Sequence, residues 1–362
     1  MREHIDPDDE RYMKQALELA RKGLGDTYPN PAVGCVIVCD GRTIGRGYHR
    51  RAGEPHAEVN AIDSVEDRTL LPGSTMYVTL EPCAHYGKTP PCAERIVREG
   101  ISRVVIGTGD PFVRVNGRGV EILRRAGVEV VQGVLQQDCD ELNKRFFTYH
   151  RKKRPFVVLK WAQTADGFLD VLRTDASLAP LKITGEPAQR YVHRMRSLEQ
   201  AILVGTRTAL LDNPRLDARL AESPRHPLRV AIDRFGRIPL ESHLLDGTHS
   251  TLLFTEKRTA QCHLEKKNVD CVPIDFSGDT VAQMLDELYR RGIQSVLVEG
   301  GAETHASFFR AGCWDEAFVF AAPDLHIGQG VPAAHLPDSA REVCCQRIGE
   351  NSLTVYKNLC GL

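Results

Sequence analysis

The sequence lacks the long apolar runs that mark a membrane protein. None of its 362 residues belongs to a stretch of roughly 20 apolar residues, the length that a membrane-spanning helix needs. The first ten residues are charged and acidic, and they contain no apolar segment of the kind found in secretory signal peptides. We therefore expect a cytoplasmic protein without membrane contact.

A disulfide framework is absent as well. The 11 cysteines are odd in number and irregularly spaced, and a chain of this length does not need disulfides for stability. We interpret most of them as reduced, buried thiols. Cys83 and Cys92 are the two whose neighbours indicate another role.

The chain also has almost no net charge. Its formal charge of −1 favours a small-molecule substrate over a nucleic acid, because proteins that bind nucleic acids usually carry a basic surface. A homo-oligomer is compatible with this composition. With 42% hydrophobic and 26% charged residues the sequence is that of an ordinary globular protein, and its length predicts two domains.

The first half alternates between strand and helix patterns, which predicts an α/β sandwich. The basic run from Tyr149 to Pro155 is interpreted as a solvated linker. It divides the chain into domains 1–150 and 151–362. The predicted strands of the first domain are 33–38, 43–48, 75–79, 103–107 and 128–131. Its predicted helices are 7–22, 92–99, 120–125 and 135–149, with a further helix that starts near His56.

The second half is again of α/β type. The Gly-x-Gly-x-x-Gly fingerprint of dinucleotide-binding domains is missing after its first strand. Instead, glycines stand between a buried strand and a helix at two places, Val204-Gly205-Thr206 and Glu299-Gly300-Gly301. Either place is compatible with an ordinary turn, but two of them favour a ligand that carries phosphate. The predicted strands are 156–160, 201–204, 228–233, 251–254, 295–298 and 317–321, and the helices are 186–196, 281–291 and 303–311.

His56-Ala57-Glu58, Cys83 and Cys92 form the most informative pattern in the sequence. One imidazole and two thiolates provide three zinc ligands and leave a fourth position for water, which zinc activates. Glu58, two residues after His56, is suited to carry a proton from that water to a leaving amine. The pattern therefore predicts a hydrolytic deaminase with Zn²⁺ as cofactor.

The spacing departs from the common deaminase pattern, because eight residues rather than two separate Cys83 from Cys92. A buried histidine with two core cysteines is one alternative. A structural zinc site, with His85 as the fourth ligand, is another, and it fits a non-catalytic zinc protein that binds a partner. A base deaminase acting on nucleic acids or nucleosides, with an accessory domain, is a third.

The long loop Leu80-Glu-Pro-Cys-Ala-His-Tyr-Gly-Lys-Thr-Pro-Pro-Cys92, together with Asn30-Pro-Ala-Val-Gly34, resembles the bifunctional deaminase/reductase family of riboflavin biosynthesis. The resemblance implies a cytidine-deaminase-like three-layer α/β/α domain. It also implies that His56, Cys83 and Cys92 bind zinc and that Glu58 is the proton shuttle. Asn30 would hydrogen-bond the pyrimidine base, or it is a turn residue before Pro31.

The second half resembles the reductase domain of the same family, which is similar in fold to dihydrofolate reductase. The motifs are Lys160-Trp-Ala-Gln-Thr-Ala-Asp-Gly167, Leu203-Val-Gly205, Asp212-Asn-Pro214 and Val298-Glu-Gly-Gly301. The implied activity is NADPH-dependent reduction of the ribosyl group of the deaminated, phosphorylated ribosylaminopyrimidine to ribityl. The implied NADPH contacts are Gln163, Lys182, Thr208, Asp212, Gly301, Ala302, Glu303, Thr304, His305, Ala306 and Ser307. The implied substrate contacts are Arg196, Leu216, Arg219 and Glu299.

The segment from Phe168 to Lys182 departs from the family pattern. Many members have a serine in this stretch and a tryptophan before Ile-Thr, whereas this chain has Pro180 and Lys182 at those places. We expect altered local contacts here but retained reduction, because hydride transfer is the chemistry of the cofactor itself.

Overall fold

The chain divides into two compact units, Met1–Lys152 and Lys153–Leu362. The computed structural model describes residues 7–84, 86, 90–111, 117–222, 225–256 and 266–359. Among these residues, no helix combines the length and the apolar character that a membrane crossing requires. The two units are described separately below.

The first unit is built on a five-stranded sheet in the order β2-β1-β3-β4-β5. β1 runs antiparallel to β2 and β3, whereas β3, β4 and β5 are parallel. The strands are β1 (Gly34–Cys39), β2 (Arg42–Tyr48), β3 (Thr75–Leu80), β4 (Arg103–Thr108) and β5 (Glu129–Gln132). The helices are α1 (Pro7–Arg21), α2 (Ala57–Asp63), α3 (Cys92–Arg98), α4 (Arg118–Arg125), α5 (Gln136–Leu142) and α6 (Lys144–Lys152), with a 3₁₀ turn at Arg68–Leu70.

Alternating residues of β1 serve two separate cores. Val36 and Val38 face the cluster that includes residues of α1 and α5, while Cys35 and Ile37 face the cluster that includes residues of α2, α3 and α4. Successive side chains of a strand point to opposite faces, so a nearly unbroken apolar strand needs cover on both sides. The result is a three-layer α/β/α arrangement, as the resemblance implies.

The second unit contains a nine-stranded sheet in the order β11-β10-β9-β8-β12-β6-β13-β16-β15. Neighbouring strands from β11 to β13 are parallel, and the last two strands add an antiparallel edge. The strands of this sheet are β6 (Phe156–Thr164), β8 (Ala201–Val204), β9 (Leu228–Ile232), β10 (Thr251–Thr255), β11 (Val269–Pro273), β12 (Ser295–Val298), β13 (Glu316–Ala322), β15 (Ala340–Ile348) and β16 (Asn351–Asn358).

Helices cover both faces of this sheet as well. Val158 of β6 belongs to the core cluster shared with α7 and α8, and Val157 to the cluster shared with α9 and α10. The helices are α7 (Glu186–Leu198), α8 (Thr206–Asp212), α9 (Thr280–Arg290) and α10 (Ala302–Arg310), with a 3₁₀ turn at His243–Leu245. A separate two-stranded ladder joins β7 (Phe168–Asp170) to β14 (Val331–Pro332).

One predicted helix, 135–149, is wrong, because the structure has two helices that meet at Asn143. The buried Asn143 side chain accepts a hydrogen bond from the Ala32 N–H at 2.8 Å and donates to the Ala32 carbonyl at 2.9 Å. This long-range pairing holds Asn143 where the helix ends. The second helix then continues to Lys152, so residues 149–152 are helical and do not form the predicted linker.

The antiparallel edge β15–β16 was not predicted. Gly349 and Glu350 form its two-residue turn, and Gly349 has a positive φ of 60°, which hairpin turns of this length require. The exposed pattern of β15 contains few large apolar residues, and its pairing with β16 therefore left only a weak signal in the sequence.

The close approach of α2 to β2 provides a test of the packing of the first unit. A Cβ atom on Gly47 would lie 2.3 Å from the Ala61 nitrogen and 2.4 Å from the Ala57 carbonyl oxygen. We expect Gly47→Ala to lower the free energy of unfolding of the first unit by at least about 1–3 kcal/mol, because helix backbone must move. Gly109→Ala is the control, since its Cβ would meet only a carboxylate oxygen at 3.9 Å. Equal denaturant midpoints for the two variants would contradict this account.

Candidate functional sites

The ends of three elements bring His56, Cys83 and Cys92 together. His56 immediately precedes α2, Cys83 follows β3, and Cys92 is the first residue of α3. The Cys92 N–H donates to the Cys83 sulfur at 3.2 Å, and the Ala93 N–H donates to the Cys83 carbonyl at 3.2 Å. The start of α3 thus orients the loop that carries Cys83.

The three donor atoms fit a tetrahedral zinc ion. The His56 Nδ1 lies 3.6 Å from the Cys83 sulfur and 3.4 Å from the Cys92 sulfur, and all three ligand atoms lie within 4.8 Å of one another. Zinc–sulfur and zinc–nitrogen bonds of about 2.3 and 2.0 Å at tetrahedral angles separate the ligand atoms by about 3.5 Å. No other group of this kind occurs among the described residues. His85 lies outside the described residues.

The electrostatics of the cluster favour a thiolate at Cys83. The hydrogen bond with Cys92 lowers the pKa of Cys83, and the neighbouring His56 ring lowers it further against the opposing effect of burial. Zinc binds the deprotonated form of cysteine, so this shift supports metal binding.

Glu58 lies in the first turn of α2, is only 4% exposed, and is not one of the three converging ligands. Burial raises the pKa of its carboxyl, whereas the neighbouring His56 lowers it. A carboxyl whose pKa is moved toward neutrality is suited both to accept and to release a proton. The two-residue offset from His56 therefore places a buried carboxyl in the same helix start as the cluster.

Asn30 is linked to the cluster through His49, which the sequence analysis missed. The His49 Nδ1–H donates to the Pro55 carbonyl at 3.1 Å, which leaves its Nε2 to accept a hydrogen bond from the Asn30 amide at 3.1 Å. Burial lowers the pKa of His49, which favours the neutral form of the ring. The His49 ring meets the His56 ring edge-on, with centroids 5.3 Å apart. The Asn30 side-chain oxygen remains an acceptor for a ligand.

Glu81 is a second residue that the sequence analysis did not single out. Its carboxylate, which is 4% exposed, accepts hydrogen bonds from the N–H groups of Gly117 and Gly119 at 3.0 Å and of Val120 at 3.4 Å. A carboxylate at a helix start satisfies free N–H groups and interacts favourably with the helix dipole. Glu81 thereby fastens the start of α4 to the chain two residues before Cys83.

The second unit contains a cavity of about 910 Å³, large enough for a nucleotide cofactor. Gly301 immediately precedes α10 and has a positive φ of 72°, which glycine adopts without strain. A Cβ atom on Gly205 would lie 2.4 Å from the Thr304 hydroxyl, so glycine at this position lets the start of α8 approach the start of α10. The predicted cofactor contacts that line the cavity are Thr208, Asp212, Gly301, Ala302, Glu303, Thr304, His305 and Ser307.

Glu299 also lines this cavity and is held by two cations. The Arg196 guanidinium donates two hydrogen bonds of 2.7 Å to its carboxylate, and the Lys160 ammonium lies 3.9 Å away. Burial alone would raise the pKa of Glu299, but Arg196 and Lys160 lower it to about 2. Burial lowers the pKa of Lys160 in turn, against the effect of Glu299. Lys160 lines the cavity too, and the sequence analysis did not assign it to the site.

The remaining predicted residues lie elsewhere. Gln163, Lys182 and Ala306 do not line the cavity, and the Gln163 side chain accepts a hydrogen bond from the Trp161 indole at 2.8 Å. Leu216 is buried in the hydrophobic core, 2% exposed. Arg219 pairs with the Asp217 carboxylate at 2.5 Å, while Arg196 donates to the Asp217 carbonyl at 3.0 Å.

The segment that departs from the family pattern contributes a buried arginine to the cavity. Arg173 donates to the Asp170 carboxylate at 2.6 Å and to the Asp212 carboxylate. Its guanidinium also donates to the Leu211 carbonyl at 3.1 Å. The ion pair between Arg173 and Asp212 therefore connects the altered segment to the end of α8.

The fold and the ligand set of the first unit define a zinc-dependent hydrolytic deaminase, and the second unit adds a nucleotide-sized site. Residues 6–108 match the family model of the cytidine and deoxycytidylate deaminase zinc-binding region. Residues 155–349 match the model of the RibD C-terminal domain.

Curated relatives and solved structures agree with these matches. The riboflavin biosynthesis protein RibD of Aquifex aeolicus is 40% identical over 330 residues, 91% of this chain and 90% of that protein. The RibD of Escherichia coli K12 is 35% identical over 329 residues, 88% of each chain. The diaminohydroxyphosphoribosylaminopyrimidine deaminase/5-amino-6-(5-phosphoribosylamino)uracil reductase of Thermotoga maritima superposes with a TM-score of 0.85 at 38% identity, covering 97% of this chain and 98% of that chain.

The chain therefore belongs to the RibD family of bifunctional riboflavin biosynthesis enzymes. Zn²⁺ and NADPH are the cofactors of its deaminase and reductase domains. This membership confirms the predicted fold class and the predicted pair of activities.

Removal of either thiol tests the metal site. We expect Cys83→Ser and Cys92→Ser to lower the zinc content measured by elemental analysis from about one ion per chain to near zero, because two ligands cannot hold zinc against a chelator. Cys39→Ser is the control, since Cys39 is a free thiol outside the cluster. Full zinc retention in both site variants would exclude this ligand set.

Removal of Arg196 tests the buried ion pair. Arg196→Met leaves the Glu299 charge with the more distant Lys160 alone, and we expect the free energy of unfolding of the second unit to fall by about 3 kcal/mol. Arg190→Gln breaks an exposed pair with Glu186 on the same helix and is expected to cost less than about 1 kcal/mol. If urea denaturation gave the same loss of unfolding free energy for Arg196→Met and Arg190→Gln, burial of the Arg196–Glu299 pair would have no energetic consequence.

Proposed function

We propose that residues 1–150 hydrolyse the 2-amino group of 2,5-diamino-6-(ribosylamino)-4(3H)-pyrimidinone 5′-phosphate. Residues 151–362 then reduce the ribosyl group of the product to ribityl with NADPH. The observation that carries this proposal is the convergence of His56, Cys83 and Cys92 beside the buried Glu58.

The first half-reaction replaces a C–N bond at a ring carbon with a C–O bond and releases ammonia. His56, Cys83 and Cys92 are proposed to hold zinc, which supplies a water molecule with a pKa lowered to about 7. The Glu58 carboxylate would accept a proton from the attacking water and deliver it to the leaving amine, so its own protonation state would be restored in each turnover. Asn30, oriented by His49, hydrogen-bonds the pyrimidine and presents the reacting carbon.

In the second half-reaction, bound NADPH would supply a hydride to the sugar, and residues of the second unit would bind and orient it. We propose that the glycine-rich start of α10 and the start of α8 bind the cofactor, where glycines allow close approach of a ligand to backbone N–H groups. Glu299, kept ionised by Arg196 and Lys160, lies in the same cavity and is proposed to contact the substrate. Gln163, Lys182, Ala306, Leu216 and Arg219 remain predicted contacts.

A small-molecule substrate in the cytoplasm is part of this proposal. The near-zero net charge supports it over a nucleic-acid substrate, because a polyanionic partner is usually met by a basic surface. The buried position of Glu58 beside the ligands supports catalysis over a structural zinc site, where this carboxyl would have no role.

The variant Glu58→Gln distinguishes a catalytic zinc site from a structural one. We expect ammonia release to fall by at least about 10²–10⁴-fold, the usual contribution of a general acid/base. Zinc content should stay unchanged because Glu58 is not a ligand. Ammonia formation and NADPH oxidation are to be followed separately, with the diaminopyrimidinone ribosylamino phosphate as substrate.

The matched control is Glu54→Gln, an exposed carboxylate four residues earlier. It should retain the wild-type rate of ammonia release. Supplying the deaminated ribosylaminouracil phosphate should restore NADPH oxidation to Glu58→Gln, since the reductase site is untouched. Normal ammonia release by zinc-loaded Glu58→Gln would overturn the proposed mechanism.

A further inference from the structure

The cavity of the second unit extends along the carboxyl ends of four adjacent parallel strands. Residues of β6, the segment after β12, the start of α8 and the segment after β9 all line it. Strands lie about 4.8 Å apart, so the cavity spans about 14 Å from β6 to β9. Glu299 and Lys160 lie toward the β6 end, and Arg207 and Arg234 toward the β9 end.

Most charged groups that line the cavity have a partner of opposite charge. Lys160 pairs with Glu299, and Arg173 pairs with both Asp170 and Asp212. Glu303 pairs with Arg310 at 2.9 Å, and Arg234 pairs with Glu256 at 2.6 Å. Because these side chains already neutralise one another, they have little charge left with which to attract a charged ligand.

Arg207 differs from the other cations of the cavity. Its guanidinium donates to the Arg173 carbonyl at 3.1 Å, and within the described part of the chain no carboxylate pairs with it. A carbonyl orients the guanidinium without neutralising its charge. Arg207 therefore presents an oriented positive charge to whatever occupies this end of the cavity.

Arg207 shares the lining of the cavity with a second cation and an aromatic ring. The Thr206 hydroxyl donates to the Ile232 carbonyl at 2.5 Å, which fastens the start of α8 to the end of β9. Arg234 follows two residues after Ile232, and its guanidinium lies 5.4 Å from the centre of the Phe276 ring. Arg207, Arg234 and Phe276 all line the cavity. This combination suits a phosphorylated nucleoside, whose base can stack and whose phosphate needs cations.

We propose that Arg207 binds the 2′-phosphate of NADPH and is the residue that selects NADPH over NADH. The inference rests on the proposed reductase activity and names a contact that no sequence motif indicated. The 2′-phosphate is the group that distinguishes the two cofactors, and a guanidinium recognises it by bidentate hydrogen bonds. Because the charged side chains at the Glu299 end pair with one another, Arg207 is left to bind the negatively charged phosphate.

The test is the dissociation constant of each cofactor, measured by calorimetry on the zinc-loaded full chain. We expect Arg207→Gln to weaken NADPH binding about tenfold to a hundredfold and NADH binding less than about threefold, the effect of losing one charge-assisted contact. Arg207→Lys should recover part of the NADPH affinity, since it retains the charge. Adenosine 2′,5′-bisphosphate should compete better than adenosine 5′-monophosphate with wild type only.

Arg190→Gln, an exposed arginine of α7 outside the cavity, is the matched control and should bind both cofactors as wild type does. Circular dichroism and a thermal melt establish that Arg207→Gln is folded. Equal weakening of NADPH and NADH would assign Arg207 to the shared pyrophosphate and overturn the inference. Unchanged NADPH affinity would overturn it as well, while the reductase activity would stand. A wild-type chain that binds neither cofactor would overturn both the inference about Arg207 and the proposed reductase activity.

Discussion

Parallel pairing of strands is the constraint on which both sites depend. In a parallel sheet the carboxyl ends of neighbouring strands meet at one edge, and the helices that follow begin there. In the first unit this geometry places Cys83 after β3 beside the start of α3. In the second unit it gathers the ends of β6, β12, β8 and β9 around one cavity. Each helix start adds free N–H groups, and the glycines beside it allow a ligand to approach.

The two sites use buried charge in different ways. Beside the three proposed zinc ligands, burial raises the pKa of Glu58, which suits its proposed role in proton transfer. In the cavity of the second unit, Arg196 and Lys160 lower the pKa of Glu299 to about 2, so that carboxylate stays ionised throughout the physiological range. One carboxyl is thus prepared to exchange a proton, and the other to hold a fixed charge. The same residue type serves both roles because its neighbours differ.

Much of the fold and the deaminase site followed from local pattern. Buried strands such as 201–204 and 295–298 were predicted at their observed bounds, since short apolar runs with β-branched residues and glycine close behind favour a strand over a helix. The break at Asn143 was missed because its cause is a hydrogen-bonded pair with Ala32, which is distant in the sequence. The edge hairpin β15–β16 was missed because one of its faces is polar and its apolar alternation is weak.

By itself the sequence predicted the two-domain α/β organisation and proposed three zinc ligands with Glu58 beside them, because residue type and spacing along the chain carry that information. Only the tertiary structure decided which charges are neutralised and which are left to bind a ligand. Arg173, Arg207 and Arg234 look alike in the sequence. Their different roles arise because folding brings Asp170 and Asp212 to Arg173 and Glu256 to Arg234. Among the residues that the structure describes, Arg207 meets a backbone carbonyl and no carboxylate. Apart from Asp170, which lies three residues from Arg173, these partners are distant in the chain, and no local pattern records such pairings.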